Sequence, residues 1–236
     1  KVVFELKKIK KEQYPVFAEY GECLEGCRKY WGNEIDTKLD RFLKGAEDTL
    51  KEEKIPILIA SDYNTKGLDG SRSKKKKSSW EALTNSDGIS VKTSENSAGS
   101  YGIGKNAPFA CSTLSMVFYN TLADKNENAF VGVARLATLF DKEGRETHRV
   151  GKYQNNDDAK ERWNPIYGDD KCEFRDCFNR TERGTDVIIV GFSQPANWIK
   201  NVTKAVLKNF FVAISEARLI VEEAQCGITV APERYD

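Results

Sequence analysis

The sequence lacks an excess of either positive or negative residues. Its 236 residues carry a formal net charge of only +1, which argues against a generic nucleic-acid binder and leaves room only for local patches. It has no apolar run of about 18 residues, the length a membrane helix requires. Nor does it open with a basic head, an apolar core and a small-residue cleavage site, so nothing in it predicts export. Six cysteines, Cys23, Cys27, Cys111, Cys172, Cys177 and Cys226, are too few for a disulfide-built scaffold of this length. Reduced thiols in a cytoplasmic protein are the expectation. The single histidine, His148, has Arg149 beside it and no evident carboxylate or cysteine partner for nucleophilic catalysis. Trp31, Trp80, Trp163 and Trp198 are scattered, without the aromatic and basic interleaving that stacks bases. What is present is a chain 39% hydrophobic and 31% charged. That is enough apolar residue for a real core in one large domain or two small ones, and too much for a disordered tail.

Residues 2–9 are rich in β-formers and predict a strand. In residues 15–31, Phe17, Tyr20, Leu24, Cys27 and Trp31 recur at helical spacing after Pro15, a residue suited to a helix start. Asn33 is placed to cap a second helix bearing Ile35, Leu39, Phe42, Ala46 and Leu50 on one face. The continuous apolar run at 55–60 predicts a central strand covered on both faces. Residues 66–100 turn polar and Gly/Ser/Lys/Asn-rich and read as a long functional loop. Its Lys74–Lys77 run reads as solvated surface, with a phosphate- or nucleic-acid-contacting role as the rival. Residues 105–114 predict a helix, and residues 115–122 and 129–139 a hairpin. Residues 141–182 form a polar insertion with a strand near 148–153. Residues 186–192 are a second continuous apolar strand. Residues 197–216 are the clearest helix, with Ile199, Val202, Val206, Phe210, Ala213 and Ile214 in one stripe. Short strands at 219–221 and 228–230 complete an α+β sandwich.

Three stretches point to chemistry. Asp62 stands where the run at 55–60 ends and is followed by Tyr63-Asn64-Thr65-Lys66-Gly67-Leu68. A carboxylate at a strand end can accept from an adenine amino group, and a glycine lets backbone approach a base. An ordinary Asx-type turn is an equal reading of that stretch alone. Next, Gly99-Ser100-Tyr101-Gly102-Ile103-Gly104-Lys105 places three glycines before a lysine at a helix start, which describes a phosphate cradle. The spacing is not that of a P-loop, since Asn106 stands where Ser or Thr would be, and no βαβ unit surrounds it. A glycine-rich hinge is the competing reading. Last, Thr185 opens the strand at 186–192, where a hydroxyl can hold the carboxylate or a water, or simply serve as a β-branched strand residue. Cys23, Cys27, Cys172 and Cys177 could supply four thiols to zinc, but their spacings are looser than a paired Cys-x-x-Cys, and independent thiols are the better reading.

Taken in this order over residues 1–225, the Asp-turn-Gly, the long loop, Gly-x-x-Gly-x-Gly-Lys, the hairpin and Gly-Thr resemble the GHKL ATPase superfamily of gyrase, heat-shock chaperones, histidine kinases and MutL. The likeness is closest to chaperone-like and MORC-like members, including bacterial ones of phage-defence context. It implies the Bergerat-type two-layer sandwich, a mixed and mainly antiparallel sheet with helices on one face. It further implies that ATP and Mg²⁺ are bound, that Asp62 meets adenine and that Thr185 backs it. Gly67 and Leu68 would lie at the base. Gly99, Ser100, Tyr101, Gly102, Ile103, Gly104 and Lys105 would form the phosphate loop, residues 66–98 the ATP lid, and residues 226–236 the start of a following segment. ATP binding would close the lid and pair two such domains into a homodimer that drives an attached effector domain or protein partner. Nucleic acid is a conceivable partner, and a membrane is not.

Two departures qualify the resemblance. The family places Gly two and four residues after the Asp; here position 64 is Asn, and Gly67 comes five residues later. The family's Glu-(x)₃-Asn helix, which activates water and holds Mg²⁺, is not assignable in residues 1–60. It is expected upstream of Lys1, and Glu22, Glu25, Glu47 and Glu52 are expected on solvated helix surface. A non-catalytic interaction module that keeps the fold is the alternative. A histidine-kinase-like phosphotransferase fits less well, because His148 lies in the wrong context.

Overall fold

The computed structural model describes residues 1–73, 78–84, 104–123, 127–155, 164–168, 170, 172–174, 179–225 and 227–232. They form an α+β fold. In chain order the elements are β1 (Val2–Lys10), α1 (Val16–Trp31), α2 (Thr37–Lys51), β2 (Lys54–Asp62), α3 (Ser79–Thr84), α4 (Ala107–Ala110), β3 (Ser112–Ala123) and β4 (Glu127–Arg135). There follow β5 (Leu139–Phe140), β6 (Glu146–Thr147), β7 (Val150–Tyr153), β8 (Ile166–Tyr167), β9 (Gly184–Phe192), α5 (Trp198–Ser215), β10 (Val221–Glu223) and β11 (Ile228–Val230). Nine strands make one sheet in the order β11-β10-β1-β2-β9-β3-β4-β7, with β8 also on β4. β1 and β10 pair in parallel; the other described pairings are antiparallel. β11 therefore extends the same sheet beyond residue 225. No helix among the described residues is long and apolar enough to cross a membrane.

The helices cover both faces of the sheet, not one. Strand side chains alternate between faces. Ile55, Ile57 and Ile59 of β2 pack with Phe17, Tyr20, Leu24 and Cys27 of α1 and with Leu43 and Ala46 of α2. Leu58 points the other way, to Leu6, Ile189 and Trp198 at the head of α5. Further along that second face, Val117 and Tyr119 of β3 pack with Trp80 of α3 and Phe109 of α4. The continuous apolar runs of β2 and β9 are what a sheet buried on both sides demands.

Local chemistry explains where several elements begin and end. The cap of α2 is Asp36, whose side chain accepts from the Leu39 amide at 2.7 Å. Asn33 instead lies in a 3₁₀ turn, Gly32–Glu34. Replacing Asp36 with alanine is expected to cost about 1 kcal/mol of stability, read from urea unfolding, because one of the first amides of α2 loses its acceptor. The helix expected over 105–114 is cut short, since β3 already begins at Ser112. The expected loop at 66–100 contains α3, which buries Trp80 and Thr84. Phe210, expected in the core stripe of α5, is 51% exposed, while Val206 and Ile214 are buried.

Candidate functional site

β2 ends at the middle of the sheet, beside the start of β9. Asp62 follows Leu58 and Ala60 on the α5 face by strand alternation. Its Oδ1 accepts from the Thr185 amide at 2.7 Å and from the Thr65 hydroxyl at 2.7 Å. Oδ2 makes no hydrogen bond among the described residues, and the side chain is 39% exposed. One carboxylate oxygen is thus fixed by backbone while the other faces outward. Thr185, Val187 and Ile189 continue the same face along β9.

The turn after Asp62 crosses the start of β9 and locks onto β3. Thr121 on β3 carries the lock. Its hydroxyl accepts from the Leu68 amide at 2.8 Å, donates to the Gly184 carbonyl at 3.0 Å, and meets the Thr185 hydroxyl at 3.2 Å. Gly67 has φ +67°, and a Cβ there would come within 2.6 Å of the Leu122 carbonyl and 2.9 Å of Thr121 Oγ1. Asn64 has φ +58°, the left-handed conformation that asparagine tolerates better than most residues. At position 64, then, asparagine supplies the backbone shape that a glycine would give. Leu68 packs against the cluster of Trp80, Phe109 and Tyr119.

The expected phosphate loop is described only in part. Gly99, Ser100, Tyr101, Gly102 and Ile103 lie outside the described residues. Gly104, Lys105 and Asn106 form a 3₁₀ turn leading into α4. A four-residue helix contributes little dipole, so the partial charge expected from a helix start is not available there. The full charges are. Lys105 Nζ donates to the Ala82 carbonyl at 3.5 Å and Lys152 Nζ to the Thr84 carbonyl at 2.5 Å, both at the end of α3. Arg135 donates to Asn106 Oδ1 at 2.6 Å and lies 4.0 Å over the Phe109 ring. Phe109, Leu68 and Val187 belong to one cluster, which puts this basic end on the same face of the sheet as Asp62. Beneath it, the Tyr119 hydroxyl is buried without a hydrogen-bond partner among the described residues, and burial pushes its pKa upward.

Arg180 is the component that sequence reasoning missed. Its side chain is 2% exposed and forms an ion pair with Asp186. It also donates to the Asp62 carbonyl, and to the Glu182 carbonyl at 2.8 Å. The guanidinium lies 4.7 Å over the Tyr63 ring. Asp186 in turn accepts from Asn120 Nδ2 at 3.0 Å. An arginine within a polar insertion carries no periodic signal, so nothing in the sequence marked it.

Glu22, Glu25 and Glu47 sit on α1 and α2, across the sheet from Asp62. Glu22 pairs with Lys142 at 2.8 Å, and Glu47 pairs with Arg28. Cys27 is buried in the core and donates weakly to the Ala137 carbonyl at 3.7 Å. Burial pushes the Cys23 and Cys27 thiols up, and Cys177 lies outside the described residues. Among the described residues no three His, Cys, Asp or Glu side chains cluster to hold a metal. No protein-family model and no curated protein matches the sequence.

Proposed function

We propose that this chain is an ATP-binding domain of the GHKL type, with a Bergerat-like sheet, and that it supports ATP hydrolysis in the full-length protein. The observation that carries the reading is the Asp62 carboxylate, held through Oδ1 by the Thr185 amide with Oδ2 unbonded among the described residues. An adenine amino group would donate to Oδ2. Leu68 would offer an apolar surface to the base, and Gly67, packed close against β3, would fix the turn that presents it. Lys105 and the residues before it would meet the phosphates, with Arg135 and Lys152 adding positive potential. Lid closure and pairing of two domains would then couple nucleotide to an attached effector. The described residues furnish no Mg²⁺ ligand set on this face. A nucleotide-binding module without hydrolysis is the second reading, favoured by the position of the α1 and α2 glutamates across the sheet.

Calorimetric titration of the full-length protein with ADP and ATP tests this. Asp62→Asn replaces the outward acceptor by a mixed donor and acceptor. It should weaken adenine nucleotide binding by about 30- to 100-fold, the loss expected of one charged hydrogen bond. Unchanged affinity would sink the reading. Binding with no turnover in the wild type would select the non-hydrolytic module.

A further inference from the structure

A cavity of about 620 Å³ lies between α1 and strands β3, β4 and β7. It is on the α1 face of the sheet, opposite Asp62, so it is separate from the proposed nucleotide site. The volume falls in the range of small-molecule pockets, which pair apolar walls with a few placed polar groups. Its aromatic wall follows from a glycine. Gly132 sits in register between Phe118 and Tyr153, and with no side chain between them the two rings stack at 5.7 Å. A Cβ at Gly132 would collide with both. Met116 and Ala134 continue this wall, and Val16, Tyr20 and Cys23 of α1 face it.

Beside the neutral Gln154 and Asn155, the cavity is lined by two carboxylates, Glu19 and Asp170. Glu19 forms no ion pair among the described residues, and Asp170 uses Oδ2 to accept from the Tyr167 amide at 2.7 Å while Oδ1 has no described partner. Lys152 borders the cavity, but its ammonium reaches the α3 carbonyl at Thr84 on the other face. Two carboxylates beside aromatic rings favour a cation, through charge-assisted hydrogen bonds and through the ring faces. We infer that this cavity binds a small organic amine with an apolar, ring-bearing body, its ring against Tyr153, which Phe118 backs from the core, and its ammonium at Glu19 and Asp170.

The test uses 2-phenylethylamine and its uncharged analogue 2-phenylethanol, titrated into the protein by calorimetry. The amine should bind saturably with Kd below about 1 mM, and the alcohol about tenfold more weakly. Glu19→Gln should narrow that gap, and Ala134→Phe should abolish binding by filling the space. Alkylation by N-ethylmaleimide gives a second readout that does not depend on a variant folding. The amine should protect Cys23, at the cavity, and leave exposed Cys111 unprotected. Absence of saturation by about 10 mM, equal protection of both thiols, or full binding by a folded Ala134→Phe protein overturns the site. An amine preference unchanged in Glu19→Gln overturns the assignment of its charge.

Discussion

Replacing Arg180 with alanine is expected to lower the unfolding free energy by about 3–5 kcal/mol, the penalty of stripping one partner from a buried ion pair. The guanidinium is 2% exposed and the Asp186 carboxylate 12%. Removing it leaves Asp186 with Asn120 as its remaining side-chain donor among the described residues. The Asp62 and Glu182 carbonyls lose a donor each. The whole penalty is not the worth of the pair, because the variant strands a charge that the native protein had compensated. A double-mutant cycle separates the two. Substituting Asp186 by alanine as well should recover part of the loss, with a coupling of about 1–3 kcal/mol between the sites. Urea unfolding of the wild type, both single variants and the double variant reads this directly. A single-variant loss under about 1 kcal/mol would mean that Arg180 behaves as a surface arginine.

How much of this was legible beforehand depended on how local each signal was. The runs at 55–60 and 186–192 located β2 and β9, and their lack of alternation already implied cover on both faces. The structure meets that demand with α1 and α2 on one side and α3, α4 and α5 on the other. The family resemblance implied helices on one face only, and here the residue pattern was the better guide. Asp62 and Thr185 were readable because each stands at the end of an apolar strand, and the fold brings them to hydrogen-bond distance. α3 was not readable: one tryptophan in a polar stretch has no period, and the cluster that buries Trp80 is built largely from β3 and β4, far along the chain. Asn33 and Asp36 are both good caps, but Asn33 is taken up in the 3₁₀ turn that follows α1, and Asp36 is the one that meets a first-turn amide. Phe210 continued the stripe of α5 by spacing. The sheet supports that helix at Val206 and Ile214 and leaves the face between them open. Arg180 works through partners six and 118 residues away, a separation that no local pattern encodes.

Gly184→Ala should be about as damaging as losing Arg180, for a different reason. Gly184 has φ +140°, a conformation that side chains rarely adopt. An added Cβ would also fall well inside van der Waals contact of Arg180 Nη2 and of both the carbonyl and Oδ1 of Asp62. Neither the buried guanidinium nor the strand end can move freely, so strain and overpacking add to about 3–5 kcal/mol. Gly144→Ala supplies the control. That glycine also has positive φ, at +76°, but nothing lies within 4 Å of the space its Cβ would take. Its substitution should therefore show the conformational penalty alone, about 1–2 kcal/mol. The excess of Gly184→Ala over Gly144→Ala measures the crowding. Because the crowded atoms belong to Asp62, the excess should appear with a second effect. If the proposed function holds, ADP should raise the Tm of the wild type, and that rise should vanish in Gly184→Ala and persist in Gly144→Ala. Equal destabilisation by the two substitutions would show that Asp62 is not held by this corner. An ADP-dependent rise retained in Gly184→Ala would remove Asp62 from the proposed base contact.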